Sequence, residues 1–75
     1  MPGRLRVTLR RIGPERGEQQ LELPEGAQVR HALRMAGIPA ETVLVARDAT
    51  KDIVPDDEPL REGDVLLVTR VVTGG

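Results

Sequence analysis

DVLLVTRVVTGG, residues 64–75, is the stretch on which the rest of the reading turns. Val65, Leu66, Leu67 and Val68 are apolar at four consecutive positions, so a strand here is apolar on both faces: Val65 and Leu67 on one, Leu66 and Val68 on the other. A strand of that kind belongs at the centre of a sheet, with neighbours on both sides. It extends as far as Val72, and Thr73, Gly74 and Gly75 follow. Glycine has no Cβ, so the last two residues can thread a narrow cleft and adopt backbone angles closed to other side chains. Fully extended, Thr73 to Gly75 reach roughly 10 Å past the strand.

Working backward, PDDEPLREG (55–63) reads as turn and loop, with Leu60 as the anchor into the core. Ile53 and Val54 form a brief strand that Pro55 stops, and TVLVA (42–46) is a β-branched, apolar strand. Before it the period changes. Val29, Ala32, Leu33 and Ala36 fall on one stripe of a helix of about ten residues starting near Ala27, with Arg30, His31 and Arg34 pointing away from it. Gly37 is placed to cap the helix in the left-handed conformation, and Pro39 prevents its continuation. At the start of the chain Leu5, Val7 and Leu9 alternate with Arg4, Arg6, Thr8 and Arg10, and Leu21 and Leu23 flank Glu22. With the GPERG turn (13–17) between them, these two runs predict a hairpin. The order is strand, strand, helix, strand, short strand, strand. One helix covers one face of a sheet of four or five strands and leaves the other bare, which makes the fold an α+β roll.

Seventy-five residues allow one small domain, expected over 1–72, with 73–75 as a tail. The chain has no cysteine and one histidine, so neither a disulfide nor a metal set is expected to hold it together. It also lacks Phe, Tyr and Trp, which removes the stacking platform used by single-strand nucleic-acid binders, and no direct nucleic-acid contact is expected. The formal net charge of −1 hides an uneven distribution. Residues 1–20 hold five Arg against two Glu, whereas Asp56, Asp57, Glu58, Glu62 and Asp64 concentrate negative charge before the last strand. That acidic stretch is either a solvated loop or a docking surface for a basic partner. No apolar run approaches membrane-spanning length and MPGRLRV lacks the apolar core of a signal peptide, so a cytoplasmic, monomeric protein with no membrane role is expected.

The order of elements, the helix opening at PEGAQVRHAL, the acidic PDDEPLREGD and the strand that runs into TGG together resemble the ubiquitin-like β-grasp sulfur carriers. That group includes the thiamine-type and molybdopterin-type carriers, the ubiquitin-related modifier and the small archaeal modifiers. The resemblance spans nearly the whole chain and implies a β-grasp roll with a mixed sheet. It also implies chemistry on the carboxylate of Gly75: an E1-like adenylating enzyme joins it to AMP from ATP, and a persulfide sulfur donor converts it to a thiocarboxylate for a downstream sulfur-accepting enzyme. In that scheme the chain is a carrier and co-substrate rather than an enzyme. It binds no cofactor itself, since ATP is used by the partner. Molybdopterin-type carriers typically approach their glycines through an aromatic residue and prolines, and RVVTGG has neither. The layout is shared by thiamine-like carriers, tRNA-thiolation carriers and archaeal modifiers, leaving tRNA thiolation, thiamine synthesis and protein modification open.

The expected site is accordingly Gly75 and Gly74 as the modified terminus, with Leu66, Val68, Arg70, Val72 and Thr73 as partner contacts. The apolar run reads either as plain burial in a central strand or as an interface, with Leu66 or Val68 surfacing on the bare face, where apolar residues rimmed by polar ones mark a contact site. A protein-interaction module with an inert tail is the alternative. Catalysis by the chain itself is disfavoured, because one His and no Cys assemble neither a nucleophile with its base nor a metal set. His31 reads as a surface histidine, and Lys51 is the single lysine, hence the one side-chain amine able to accept an isopeptide bond.

Overall fold

The computed structural model describes residues 3–13 and 16–71. Five strands and one helix follow the expected order: β1 (Arg4–Ile12), β2 (Gly17–Pro24), α1 (Val29–Met35), β3 (Val43–Arg47), β4 (Asp52–Val54) and β5 (Asp64–Arg70), with a 3-10 turn over Ala40–Thr42 leading into β3. The strands form one sheet in the order β2-β1-β5-β3-β4. β5 is central, running parallel to β1 and antiparallel to β3, so the sheet is mixed.

The hairpin forms because both of its strands alternate in phase. Val7 sits opposite Leu21 and Leu5 opposite Leu23, all buried, while Arg6 faces Glu22 and Arg10 faces Glu18 on the outer surface. The ion pairs Arg4–Glu22 (3.5 Å) and Arg10–Glu18 (3.0 Å) are exposed and contribute about 1 kcal/mol or less each. The register is therefore set by the leucines and valines, whose slip by one residue would turn the whole apolar set to water.

Helix α1 is shorter than expected. Gln28 is extended and serves as N-cap, which keeps Ala27 and Gln28 out of the helix, and Val29, Ala32 and Leu33 face the sheet with at most 1% exposure. The Nδ1 of His31 accepts a hydrogen bond from the Gln28 N–H at 2.9 Å, so this surface histidine closes the first turn. Gly37 follows the helix with φ +76°, the left-handed conformation its sequence position calls for. The helix start is tied to the acidic loop: Val29 N–H donates to Glu58 O, Arg30 N–H to Asp56 O, and Leu60 N–H to Ala27 O. Leu60 is buried, as its anchoring role requires.

Arg47, at the end of β3, links the sheet to that same loop. Its Nη1 donates to Glu58 at 3.0 Å, and its Nη2 to Asp64 at 3.0 Å and to the Pro59 carbonyl at 3.1 Å. The bonds to Asp64 and then Glu58 push the guanidinium pKa above its ordinary value against the opposing effect of burial. Its Nε is buried with no hydrogen-bond partner among the described residues. Part of the acidic stretch, Glu58 and Asp64, is thus structural rather than free for docking.

One assignment is reversed. Leu66 and Val68 do not lie on the bare face: they are 0% and 3% exposed, packed in the core on the helix side, and it is Val65 and Leu67 that turn outward. The cause is the parallel register with β1. Leu9 and Leu66 are partners, Arg11 and Val68 are partners, and directly paired residues share a face. Leu9 faces the helix, so Leu66 must as well. The predicted end of the strand is also adjusted: β5 closes at Arg70, although Val71 N–H still donates to Thr42 O at 2.9 Å. Val72 and the tail residues Thr73, Gly74 and Gly75 lie outside the described residues.

Candidate functional site

Strand registers define the outer surface of the sheet row by row. One row runs Arg10, Leu67, Ala46, Ile53 across β1, β5, β3 and β4; the next runs Ile12, Thr69, Leu44 across β1, β5 and β3. Together with Val65, these place an apolar patch centred on Leu67, with Ile53 66% exposed, Leu44 48% and Ile12 47%. Thr8 and Arg10 border it, and Thr69 lies within it between Ile12 and Leu44. Among the described residues no helix covers this side, so the patch is apolar surface that the described fold leaves in water, the usual mark of a contact site. Asp48 borders it past Val65, to whose carbonyl its N–H donates. The hydrogen bond and charge of Lys51, 2.8 Å away, hold the Asp48 carboxyl below the usual carboxylate range, with a smaller contribution from Arg10.

At the end of β5 the chain leaves the sheet beside a small cleft of about 90 Å³. Arg11 and Arg70 line it on the helix side together with Ile38, Pro39, Val43 and Val68. Arg70 pairs with Val43 at the last rung of the β3–β5 ladder. The fold's last described hold on the chain is the Val71 bond to Thr42, four positions before Gly75. The site therefore consists of a patch in the middle of the bare face and an exit point at its lower margin, joined by the single strand β5. Among the described residues no group of His, Cys, Asp or Glu is arranged to hold a metal ion, and no helix is long and apolar enough to cross a membrane.

A family model, described as the ThiS family, matches residues 7–75, which includes β1 from Val7 onward, the other four strands, the helix and both glycines. The chain belongs to the ThiS family. Solved structures agree on the fold. Caldiarchaeum subterraneum ubiquitin superposes with a TM-score of 0.71 at 17% identity, covering 97% of this chain and 100% of that one. The C-terminal ubiquitin-like domain of mouse tubulin-specific chaperone e gives 0.66 at 20% identity, covering 99% and 93%. A de novo design based on ubiquitin gives 0.71 at 16%, covering 99% and 96%. At such identities these likenesses concern the fold alone. No curated protein matched the sequence.

ThiS-family membership makes this a ubiquitin-like sulfur-carrier protein of a family whose members are carriers, generally not catalysts, and work with an E1-like enzyme and sulfur-transfer partners. Of the expected partner contacts, Arg70 is exposed at the exit point, Leu66 and Val68 are interior, and Val72, Thr73, Gly74 and Gly75 fall outside the described residues. Leu67, Leu44, Ile53 and Ile12 were missed as surface contacts. Their signal was weak because apolar residues alternate with apolar residues in β3 and β5, and only the register with β1 tells the faces apart.

Proposed function

We propose that this ThiS-family chain carries sulfur on the carboxyl group of Gly75, and that the apolar patch around Leu67 is where the adenylating enzyme docks. A carboxylate resists attack because it is negatively charged and oxide is a poor leaving group. In the proposed sequence a Gly75 oxygen attacks the α-phosphorus of ATP, pyrophosphate departs, and an acyl-adenylate forms. The terminal sulfur of a persulfide then attacks the acyl carbon and AMP leaves. A thiol cleaves the remaining sulfur–sulfur bond, giving the thiocarboxylate and a disulfide. The ATP site, the persulfide and the acid–base groups belong to the partners, and this chain supplies the acyl group and the surface that presents it.

The observation that carries the reading is the family match through Gly75, on a strand whose last described tie to the fold is at Val71. From Val71 the four remaining residues span at most roughly 14 Å, enough to enter an enzyme's cleft while the sheet stays outside it. tRNA thiolation and thiamine synthesis are the pathways proposed for the sulfur, with conjugation to proteins through the same activated Gly75. The alternative, an interaction module with an inert tail, draws support from the same patch. Intact-mass measurement after incubation with ATP, the cognate adenylating enzyme and a persulfide donor separates the two. A gain of about 16 Da, sulfur for oxygen, supports the carrier, and an unchanged mass supports the interaction module. Removal of Gly75 is expected to abolish the gain with no change in the fold.

A further inference from the structure

The short edge strand leaves a second concave surface, at the open edge of β3 between the helix end and the margin of the Leu67 patch. β4 has three residues and pairs with β3 only from Val45 to Arg47, so among the described residues Val43 and Leu44 have β5 on one side and no strand on the other. Pro55 ends β4 and turns the chain away. What remains is an open groove of about 320 Å³ between the end of α1, the 3-10 turn and the sheet edge, walled by Leu33, Val43, Leu44, Val54 and Pro55 with the carboxylates of Glu41 and Asp56 on its rim. Its volume is at the low end for a small-molecule or cofactor site, which usually runs to about 300–1,000 Å³ and encloses most of its ligand. An open apolar trough of this size suits one or two side chains of a protein segment.

The rim says what kind of segment. The acidic stretch is divided by function: Glu58 and Asp64 are held by Arg47, but neither Asp56 nor Glu41 has a side-chain hydrogen bond or ion pair among the described residues. Arg30 and Arg34 are exposed on α1 but do not line the groove. Two carboxylates without a side-chain partner among the described residues, flanking an apolar floor, attract a cation on either side of an aliphatic anchor and repel an acidic segment.

We propose that this groove binds a short extended segment of a partner protein in which branched aliphatic residues are flanked by Arg or Lys. The site is chemically distinct from the tail: it opens at the β3 edge and shares only Leu44 with the margin of the Leu67 patch. A carrier must be passed between proteins, and a second contact surface at the sheet edge gives a partner a place to hold it beyond the central patch.

The test is an NMR titration of the isotope-labelled full chain with acetyl-Arg-Leu-Ile-Arg-amide, and with acetyl-Glu-Leu-Ile-Glu-amide as the charge-reversed control. The basic peptide is expected to shift the amide signals of Val43, Val54 and Asp56, and to bind about threefold to tenfold more weakly in the Glu41→Gln, Asp56→Gln double variant. Both substitutions are at exposed side chains with no hydrogen bond or ion pair among the described residues, so the variant is expected to fold, and its own spectrum checks that it does. Raising salt from about 0.05 M to about 0.5 M should weaken binding by a similar factor. Absence of shifts in the groove, shifts confined to the Leu67 face, or equal binding of the acidic peptide would overturn the proposal. Each of these results leaves the mass test of Gly75 unaffected, so the two readings fail separately.

Discussion

Leu66 and Leu67 are adjacent in one strand and differ in which side of the sheet they occupy, which permits a crossed experiment. Leu66 is fully buried between its partners in β1 and β3 and beneath α1, so Leu66→Ala should cost about 2–5 kcal/mol through lost burial and the cavity left behind. For a chain of 75 residues the whole folding free energy is about 4–11 kcal/mol, so this one change removes a large share of it. With a urea dependence of about 1 kcal/mol per molar for so small a domain, the unfolding midpoint falls by about 2–5 M or the protein no longer folds. Leu67 is only half-buried and faces no second layer, so Leu67→Ala should cost about 1 kcal/mol or less and shift the midpoint by about 1 M at most. In docking the order inverts. As the centre of the patch, Leu67 should behave as an interface anchor worth about 2 kcal/mol, or about thirtyfold in the carrier concentration needed for half-maximal thiocarboxylate formation. The measurements are urea unfolding and intact-mass time courses over a range of carrier concentrations, with the Leu66 variant assayed only where it is folded. If Leu67→Ala leaves that concentration dependence unchanged while the same enzyme converts the wild type, the bare face is not the docking surface. If Leu66→Ala is as stable as the wild type, the assignment of faces in β5 is wrong.

Two further predictions concern the loop and its charges. Arg47→Met should destabilise the domain by about 2 kcal/mol, less than a fully enclosed ion pair would lose because Glu58 remains about a third exposed; a urea midpoint within error of wild type would show that the guanidinium contributes nothing net. The Asp48 carboxyl, whose pKa is depressed in the folded state by Lys51, adds stability that is present above its unfolded pKa and is lost as pH falls through the lower folded value. NMR titration should place its midpoint below the ordinary aspartate range, and Lys51→Met should raise it; no movement in that variant would refute Lys51 as the main cause.

The parts of the fold that sequence made legible are those where one physical pattern had no rival. Leu5, Val7 and Leu9 alternate with arginines, so their inward face needed no structure to identify it, and the run Val65–Val68 required a central position because no edge strand buries both sides. The helix stripe was clear as well, although its first turn was misplaced by the extended Gln28. Two things were not legible. The choice of face in β5 depends on pairing with β1 across more than fifty residues of chain, and local composition carries no record of that pairing. The roles of Arg47 and His31 are likewise tertiary: an arginine at the end of a strand becomes a link between sheet and loop only when Glu58, Pro59 and Asp64 are folded back onto it. The candidate site followed the same division. Its chemistry was readable from RVVTGG, whereas its docking surface required the register.

The parallel pairing of β1 and β5 has a mechanical consequence. With the chain held near Arg4 and drawn from beyond Arg70, the load runs along both strands in opposite senses, so the rungs from Val7–Asp64 to Ile12–Thr69 are strained together and none can open ahead of the rest. An enzyme that tugs on the glycine end therefore meets a bolt in shear rather than a zipper, and the handle it pulls is fastened to the stiffest part of the molecule.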